Sequence, residues 1–248
     1  MQHIILKTPD GFELDANYYA GTNGISIVFC HGLAVGKERE DAFFASIEML
    51  HNKGFSLLLF DFRANGKSTG DSVKDFSVSG QQIDIDTAIA YVKDQGNTTI
   101  YLAGASFGGA AVTLYATKHI DNIQKLLLLN PSLDYDRSIS KHFLPGIEAL
   151  NKEGFVEIGS RNYRLGKKLY EEMKTMAPYK ELEKWQKDLL IIHGDNDALV
   201  PHPLTVEIFE KLSNPKKKFS LILGADHGFH EEPYTTQAAE KIVEFFST

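Results

Sequence analysis

The segment IYLAGASFGG, residues 100–109, runs from an apolar stretch of strand length into a turn of the pattern G-x-S-x-G. A helix rich in small residues is predicted directly after it, over Ser106–His119. In this strand–turn–helix context the pattern is typical of a nucleophile elbow, which raises a serine above the carboxyl edge of a sheet. Gly104 and Gly108 avoid the clashes that side chains would cause in such a turn, and the helix N-terminus favours developing negative charge. Ser106 is therefore the candidate nucleophile.

Apolar runs of strand length alternate with helical patterns along most of the chain. The predicted strands are continuously apolar and cover residues 25–30, 57–60, 100–103, 126–129, 189–192 and 219–223. Apolar residues at helical spacing predict helices over 42–52, 77–93, 106–119, 204–212 and 235–246. Before them, Ile4–Leu6 and Glu13–Tyr19 flank the turn signal Pro9-Asp10-Gly11 and predict an antiparallel N-terminal hairpin. The alternation indicates an α/β fold with a doubly wound, mostly parallel sheet whose strands are buried on both faces.

One long segment interrupts this alternation. About sixty residues separate the strand that ends at Leu129 from the one that begins at Leu189, which is too long for a simple loop. A hairpin is predicted from Phe155–Ile158 through Gly159-Ser160 to Asn162–Leu165, followed by a helix over Lys167–Met176. We expect residues 131–185 to form a small cap inserted into a core made of residues 1–130 and 186–248. The alternative is a decorated crossover connection.

The composition is that of a folded, acidic protein. The chain has 248 residues, 43% of them hydrophobic, with 26 Lys+Arg against 33 Asp+Glu and a net charge of −7. That charge opposes nucleic acid binding, which needs a basic face, and no apolar run is long enough for a membrane-spanning helix. The single cysteine, Cys30, is expected to be a buried hydrophobe, and neither a metal site nor a cofactor site is predicted. The N-terminus lacks the features of a signal peptide, so a cytoplasmic location is expected.

A serine nucleophile needs a base, and nine histidines compete for that role. His227 lies in the segment GADHGF just past the last predicted strand, at the sheet edge where such folds place their sites. His202 and His230 are its rivals, because both lie in nearby loops. The remaining candidates are expected to have other roles: His193 to pack at a strand end, and His119 and His142 to be solvated.

The base needs a carboxylate, and the oxyanion needs two N–H donors. Asp195 and Asp197 both follow the strand over residues 189–192, and either can serve as the acid, although an aspartate in a tight loop often only caps its turn. Asp226 precedes His227 directly, and sequence neighbours seldom point at each other as a base and its acid must. The expected oxyanion donors are the backbone N–H groups of Phe107 and Leu33.

Taken together, these motifs resemble the α/β-hydrolase superfamily of serine esterase type. The order Ser106…Asp197…His227, the His31-Gly32 loop and the segment Asp61–Ser68 carry the resemblance, which extends from about residue 3 to 246. It implies that Asp197, the last residue of a G-x-x-D pattern, is the acid rather than Asp195, and that Asp61–Ser68 is structural. Within the superfamily, the chain resembles bacterial cinnamoyl (feruloyl) esterases and monoglyceride-lipase-like hydrolases. It departs from many of these relatives at Phe107, where they carry Gln or Met.

The resemblance implies hydrolysis of carboxylic esters, of short acyl or aryl/cinnamoyl type, through an acyl-enzyme. A serine at position 106 excludes relatives with an aspartate or cysteine nucleophile, such as dehalogenases, epoxide hydrolases and dienelactone hydrolases. Thioesterase, monoacylglycerol lipase, peptidase and acyltransferase activities on the same triad stay open as alternatives, as does a non-catalytic ligand-binding role. The expected partner is a small-molecule ester, with no nucleic acid and no membrane span, and a homodimer is left open.

The predicted cap is expected to determine the substrate. It offers ten apolar or aromatic side chains that either contact substrate or pack the cap onto the core: Phe143, Leu144, Ile147, Leu150, Phe155, Tyr163, Leu165, Tyr170, Met173 and Tyr179. Five basic residues make the same segment locally positive: Lys141, Arg161, Arg164, Lys167 and Lys168. This charge is compatible with anionic substrates or with a solvated face.

Overall fold

The computed structural model describes residues 1–159 and 163–248. Its strands are β1 (Gln2–Lys7), β2 (Glu13–Tyr19), β3 (Ile25–Cys30), β4 (Ser56–Phe60), β5 (Thr99–Ala105), β6 (Ile123–Leu129), β7 (Phe155–Ile158), β8 (Tyr163–Gly166), β9 (Asp188–Gly194) and β10 (Lys217–Ile222). Its α-helices are α1 (Asp41–Asn52), α2 (Val78–Asp94), α3 (Ser106–Lys118), α4 (Tyr135–His142), α5 (Ile147–Glu153), α6 (Lys167–Met173), α7 (Pro178–Leu182), α8 (His202–Lys211) and α9 (Tyr234–Ser247).

Eight strands form one sheet in the order β1-β2-β4-β3-β5-β6-β9-β10. From β4 to β10 all neighbouring strands are parallel, whereas β1 and β2 form an antiparallel hairpin that joins β4 in antiparallel register. The predicted α/β class, mostly parallel sheet and N-terminal hairpin are therefore confirmed. Strand β10 ends one residue earlier than predicted, because Leu223 has left the sheet and is 72% exposed.

Strand β6 explains why the apolar runs are continuous. Leu126 and Leu128 pack on the face of the sheet that α2 and α3 cover, whereas Leu127 and Leu129 pack on the opposite face with α1 and α9. Successive side chains of a strand point to opposite faces, so a strand covered on both sides needs apolar residues at every position. Burial of each leucine contributes about 1.5–3 kcal/mol to stability.

The segment 131–185 contains more helix than the sequence predicts. Its hairpin, β7 and β8, is antiparallel as predicted, but the predicted turn residue Ser160 and the residues Arg161 and Asn162 lie outside the described residues. Helices α4, α5 and α7 were not predicted, because helices of five to eight residues carry too little periodicity to be recognised. The predicted helix over Lys167–Met176 ends at Met173, and the next three residues form turns, each through one backbone hydrogen bond.

This segment shares its hydrophobic core with one face of the sheet. Eleven of its apolar or aromatic side chains are buried in the same cluster as the α2 and α3 side chains: Leu133, Tyr135, Ile139, Phe143, Leu150, Val156, Leu165, Leu169, Met173, Leu182 and Trp185. The segment therefore covers the sheet edge where β5 ends, above Ser106. The division into a core and an inserted cap stays a prediction.

Buried ion pairs fix the loops beneath the candidate site. Lys37 contacts Asp15 and lies 3.2 Å from Asp61, whose carboxylate also accepts the Lys37 backbone N–H at 2.6 Å. Arg63 donates to Asp84 at 2.8–2.9 Å and to Asp10 at 2.7–3.1 Å. These contacts tie the loop after β3 to the loop after β4, in keeping with the structural role predicted for Asp61–Ser68.

Candidate active site

Ser106 occupies a strained turn between β5 and α3. Its φ angle is +51°, in the left-handed region that residues other than glycine rarely adopt. A side chain on Gly108 would collide with the backbone carbonyls of Cys30 and His31, so only glycine allows the turn to approach β3 this closely. The turn places Ser106 at the wall of a cavity of about 540 Å³ at the carboxyl edge of the sheet.

The structure brings His227 and Asp197 together beside the same cavity. His227 Nδ1 lies 2.6 Å from Asp197 Oδ2, and the imidazole side chain is 20% exposed and lines the cavity with Ser106. Because an ionised carboxylate only accepts, Nδ1 carries the proton and Nε2 is left as the free acceptor nitrogen. Among the described residues no hydrogen bond joins Ser106 Oγ to Nε2. Such bonds are often long in a free enzyme and tighten when substrate binds.

Asp197 is surrounded by four donors, one of which sequence reasoning missed. Its Oδ1 accepts the backbone N–H groups of Leu199 and Val200, both at 2.8 Å. Its Oδ2 accepts from His227 and also lies 3.3 Å from Nε2 of the buried His193, which donates to the Val200 carbonyl at 2.8 Å. Burial alone would raise the pKa of the Asp197 carboxyl, but the hydrogen bonds from His193 and His227 outweigh it and hold that pKa well below its usual range.

The other acidic candidates have structural partners instead. Asp195 Oδ1 accepts the Gly224 N–H at 2.5 Å and so ties the loop after β9 to the loop after β10. Asp226 accepts the His230 N–H at 3.3 Å. The structure therefore gives His227 one carboxylate partner among the described residues, Asp197.

Of the two rival histidines, His202 is the first residue of α8 and does not line the cavity, whereas His230 does line it. His230 Nδ1 lies 2.7 Å from Asp41 Oδ2, and this hydrogen bond is the main cause of a raised pKa of the His230 imidazole. His119 stacks on Tyr115 with a centroid distance of 4.2 Å. His142, expected to be solvated, is instead partly buried and lines the cavity, and burial followed by the nearby Lys141 charge lowers its pKa.

His31 orients the peptide that carries the Leu33 N–H. Its Nε2 accepts the Phe62 N–H at 2.9 Å, so Nδ1 must carry the proton and donate it to the Gly32 carbonyl at 2.7 Å. In a trans peptide the carbonyl and the following N–H point in opposite directions. Because the Gly32 carbonyl is bonded to the His31 ring, the Leu33 N–H of the same peptide points away from that ring. Leu33 N–H has no protein acceptor among the described residues, and Leu33 lines the cavity.

The second expected donor is the N–H of Phe107. Phe107 is the second residue of α3, and the first four N–H groups of a helix have no intrahelical acceptor. Phe107 also lines the cavity beside Ser106. The two expected oxyanion donors therefore reach the cavity from two different elements, the loop after β3 and the N-terminus of α3, where the helix dipole favours negative charge.

Glu40 is a carboxylate of this site that sequence reasoning missed. Its Oε1 accepts the Gly32 N–H at 2.6 Å, and its side chain lines the cavity. Burial raises the pKa of the Glu40 carboxyl, against the opposing effects of the Gly32 hydrogen bond and of the nearby His227 and His230. The signal in the sequence was weak, because an acidic residue eight positions beyond a strand-ending glycine has no characteristic pattern.

The raised pKa predicts a pH-dependent gain in stability for Glu40→Gln. A carboxyl whose pKa is raised in the folded state makes its full contribution to stability at pH values below 4.5, its ordinary pKa. That contribution is lost as the pH rises through the pKa of the folded state. Glutamine keeps an acceptor for the Gly32 N–H but does not ionise. We expect urea unfolding to show the variant gaining free energy of unfolding over the wild type between pH 4.5 and neutral pH. Glu38→Gln, at an exposed neighbour, should show no such trend, and a pH-independent difference for Glu40→Gln would contradict this reasoning.

The cavity is mainly apolar. Of the ten side chains predicted as cap contacts, four line it: Phe143, Tyr163, Leu165 and Met173. Ile158, Leu169 and His142 of the same segment line it as well, and Leu144 is 49% exposed on the outside. A mainly apolar cavity of this size that also carries polar side chains suits a compact organic ligand.

The basic residues of the segment do not act as one surface. Arg164 is paired with Glu157 at 3.0 Å, and Lys167 and Lys168 are exposed at the start of α6. Lys141 binds two backbone carbonyls of the loop that follows Asp197. Arg161 lies outside the described residues.

Within residues 1–159 and 163–248, no group of three or more His, Cys, Asp or Glu side chains is arranged to hold a metal ion. No helix in these ranges is both long enough and apolar enough to cross a membrane.

Comparison with known proteins gives one family and several relatives. The prolyl oligopeptidase family matches residues 42–248. Protein bem46 of Schizosaccharomyces pombe is 28% identical over 66% of this chain and 49% of its own length, and monoacylglycerol lipase abhd6-A of Xenopus laevis is 25% identical over 80% and 56%. The chain thus spans about half the length of these two relatives. The structure of Est1E from Butyrivibrio proteoclasticus with ferulic acid bound has a TM-score of 0.84 at 24% identity, covering 99% of this chain and 100% of that one.

Proposed function

Since the chain belongs to the prolyl oligopeptidase family and has the α/β-hydrolase fold, we propose that it hydrolyses carboxylic esters with Ser106, His227 and Asp197 as its triad. One observation carries the proposal. The Asp197–His227 pair, at 2.6 Å, leaves Nε2 free beside the cavity that Ser106 lines. This pair supports the proposal, because a serine nucleophile requires a base that an acid orients and whose second nitrogen can accept its proton.

In the proposed reaction, Ser106 Oγ attacks the ester carbonyl while His227 Nε2 takes its proton. The tetrahedral oxyanion is bound by the N–H groups of Leu33 and Phe107, which are directed by His31 and by the start of α3. His227 then protonates the leaving alcohol, and the acyl-enzyme forms. Water, deprotonated by His227, attacks the acyl-enzyme; as the acid leaves, His227 returns the proton to Ser106 Oγ and both residues are restored.

Esters are favoured over amides by the cavity. The cavity has a volume of about 540 Å³ and a mainly apolar lining, so it accommodates a compact acyl or aryl group rather than an extended peptide. A structural neighbour at 24% identity holds ferulic acid. A peptidase is the second candidate, because the family that matches the chain is named for oligopeptide cleavage. Thioesterase and monoacylglycerol lipase activities use the same acyl-enzyme and are tested together with it. A cytoplasmic location is part of the proposal.

A fluorophosphonate probe tests the serine chemistry without knowledge of the substrate. We expect stoichiometric labelling, with mass spectrometry placing the adduct on the peptide that contains Ser106. Ser132 and Ser138 line the same cavity and serve as internal controls, since their hydroxyl groups bond each other at 2.9 Å and neither is hydrogen-bonded to a histidine among the described residues. An adduct on either of them, or none at all, would remove the basis of the proposal.

A substrate panel then separates the acyl-transfer classes. We expect p-nitrophenyl butyrate and methyl ferulate to be cleaved faster than acyl-CoA, monoacylglycerols and aminoacyl amides, as ratios of kcat/KM. Preference for aminoacyl amides would reassign the protein as a peptidase. Preference for acyl-CoA would make it a thioesterase.

A further inference from the structure

A second cavity adjoins the one that holds Ser106. It has a volume of about 430 Å³, and the two cavities share a wall made of Ser132, Ser138, His142, Leu199 and Val200. The hydroxyl groups of Ser132 and Ser138 lie 2.9 Å apart in that wall. The backbone N–H groups of Leu199 and Val200 donate to Asp197 Oδ1, so two residues that line the second cavity also bind the proposed acid.

The lining of the second cavity combines an apolar surface with one uncompensated charge. Leu133, Leu204 and Ile208 provide apolar side chains, and the charges of Asp134 and Arg137 cancel in an ion pair of 3.0 Å. Lys141 is different, because within the described residues no carboxylate lies within 4.0 Å of its Nζ atom. Nζ donates to the carbonyls of Leu199 at 2.7 Å and Ala198 at 3.3 Å.

The Lys141 ammonium retains bonding capacity toward a ligand. An ammonium group has three N–H donors, and the two carbonyls account for two of them. Lys141 is exposed and lines the second cavity, so its remaining donor can turn toward a ligand there. His142, in the shared wall, adds no second positive charge at neutral pH, since burial and the Lys141 charge both lower its pKa.

We propose that the two cavities together bind esters with an apolar middle and an anionic end. The reacting carbonyl lies at Ser106, the apolar chain passes over the shared wall, and a carboxylate at its far end binds Lys141 Nζ. This inference rests on the proposed function, which it extends by naming the substrate class. Hydrolysis itself follows the acyl-enzyme steps given above, with water as the only co-reactant.

Binding tests the inference apart from turnover. In a Ser106→Ala background, titration calorimetry compares the monomethyl ester of a dicarboxylic acid with the dimethyl ester of the same acid, from succinate to sebacate. A charged hydrogen bond at Lys141 should make the half ester bind about tenfold more tightly, with an optimum at one chain length. Lys141→Met should abolish this preference. Lys168→Met removes an exposed lysine that lines neither cavity and should retain it.

Lys141 also holds the loop after Asp197, so a structural role must be separated from a binding role. With active enzyme, Lys141→Met should raise KM for the half ester by a larger factor than KM for the diester, and Lys141→Arg should restore the preference for the half ester. If Lys141→Met raises KM equally for the half ester and the diester, Lys141 only holds the loop, and the inference is overturned. Equal affinities of the wild-type site for both esters would also overturn it. If no ester is cleaved while a Lys141-dependent preference persists in binding, the proposed function fails and the anion site stands.

Discussion

Ser106→Ala is expected to lower kcat/KM for p-nitrophenyl butyrate by about four orders of magnitude or more. The variant retains the cavity, the expected oxyanion donors and the Asp197–His227 pair, but it has no atom that can form the acyl-enzyme. What remains is the modest acceleration that binding and oxyanion stabilisation provide to attack by water. The measurement is release of p-nitrophenol from enzyme free of contaminating esterases.

Ser132→Ala is the matched control. Ser132 lines the same cavity and its hydroxyl bonds Ser138 at 2.9 Å, but the structure gives it no histidine partner among the described residues. Its replacement should change kcat/KM by less than about tenfold, the effect of one lost neutral hydrogen bond. Urea unfolding checks both variants, and loss of the Ser106 hydroxyl should not lower stability, because Ser106 Oγ makes no hydrogen bond among the described residues. Near-normal activity of Ser106→Ala would refute the assignment of the nucleophile.

The sheet and its elbow could be predicted because their sequence signals are local. Leu126–Leu129 is apolar at every position since helices cover both faces of β6, and this pattern needs no knowledge of the partners. Gly108 is required because a side chain there would collide with the backbone at the end of β3. The G-x-S-x-G pattern therefore indicates that the start of α3 packs closely against β3. His227 was recognisable from its place after a predicted strand.

The residues that orient the site could not be predicted, because they act through contacts between distant segments. His193 reaches Asp197 only because the loop after β9 folds back, and in sequence it reads as the end of a strand. Glu40 meets Gly32 through the turn that leads into α1, and His31 is fixed by the backbone of Phe62 from the loop after β4. Helix α4, which carries His142 and Lys141 to the two cavities, is eight residues long and was missed.

Asp197→Asn is expected to lower kcat/KM by about four orders of magnitude, through the wrong histidine tautomer. Two backbone N–H groups, of Leu199 and Val200, hold Oδ1, so the asparagine oxygen stays there and its NH₂ group takes the place of Oδ2. That NH₂ donates to His227 Nδ1 and forces the proton onto Nε2, which can then no longer accept one from Ser106. The same NH₂ faces the N–H of His193, so a loss of about 1–3 kcal/mol in stability should accompany the loss of activity.

Asp195→Asn separates this effect from a general disturbance of the loop. Asp195 Oδ1 accepts the Gly224 N–H, and an asparagine oxygen can do the same, so activity should stay within about threefold of the wild type. A pH series adds a second criterion. Protonation of His227 in the wrong tautomer cannot restore a base, so Asp197→Asn should stay inactive across the acidic and neutral range. If Asp195→Asn proves the more damaging change, the acid belongs at Asp195. That outcome would require the β9 loop to rearrange during turnover, since Asp195 bonds Gly224 whereas Asp197 already holds His227.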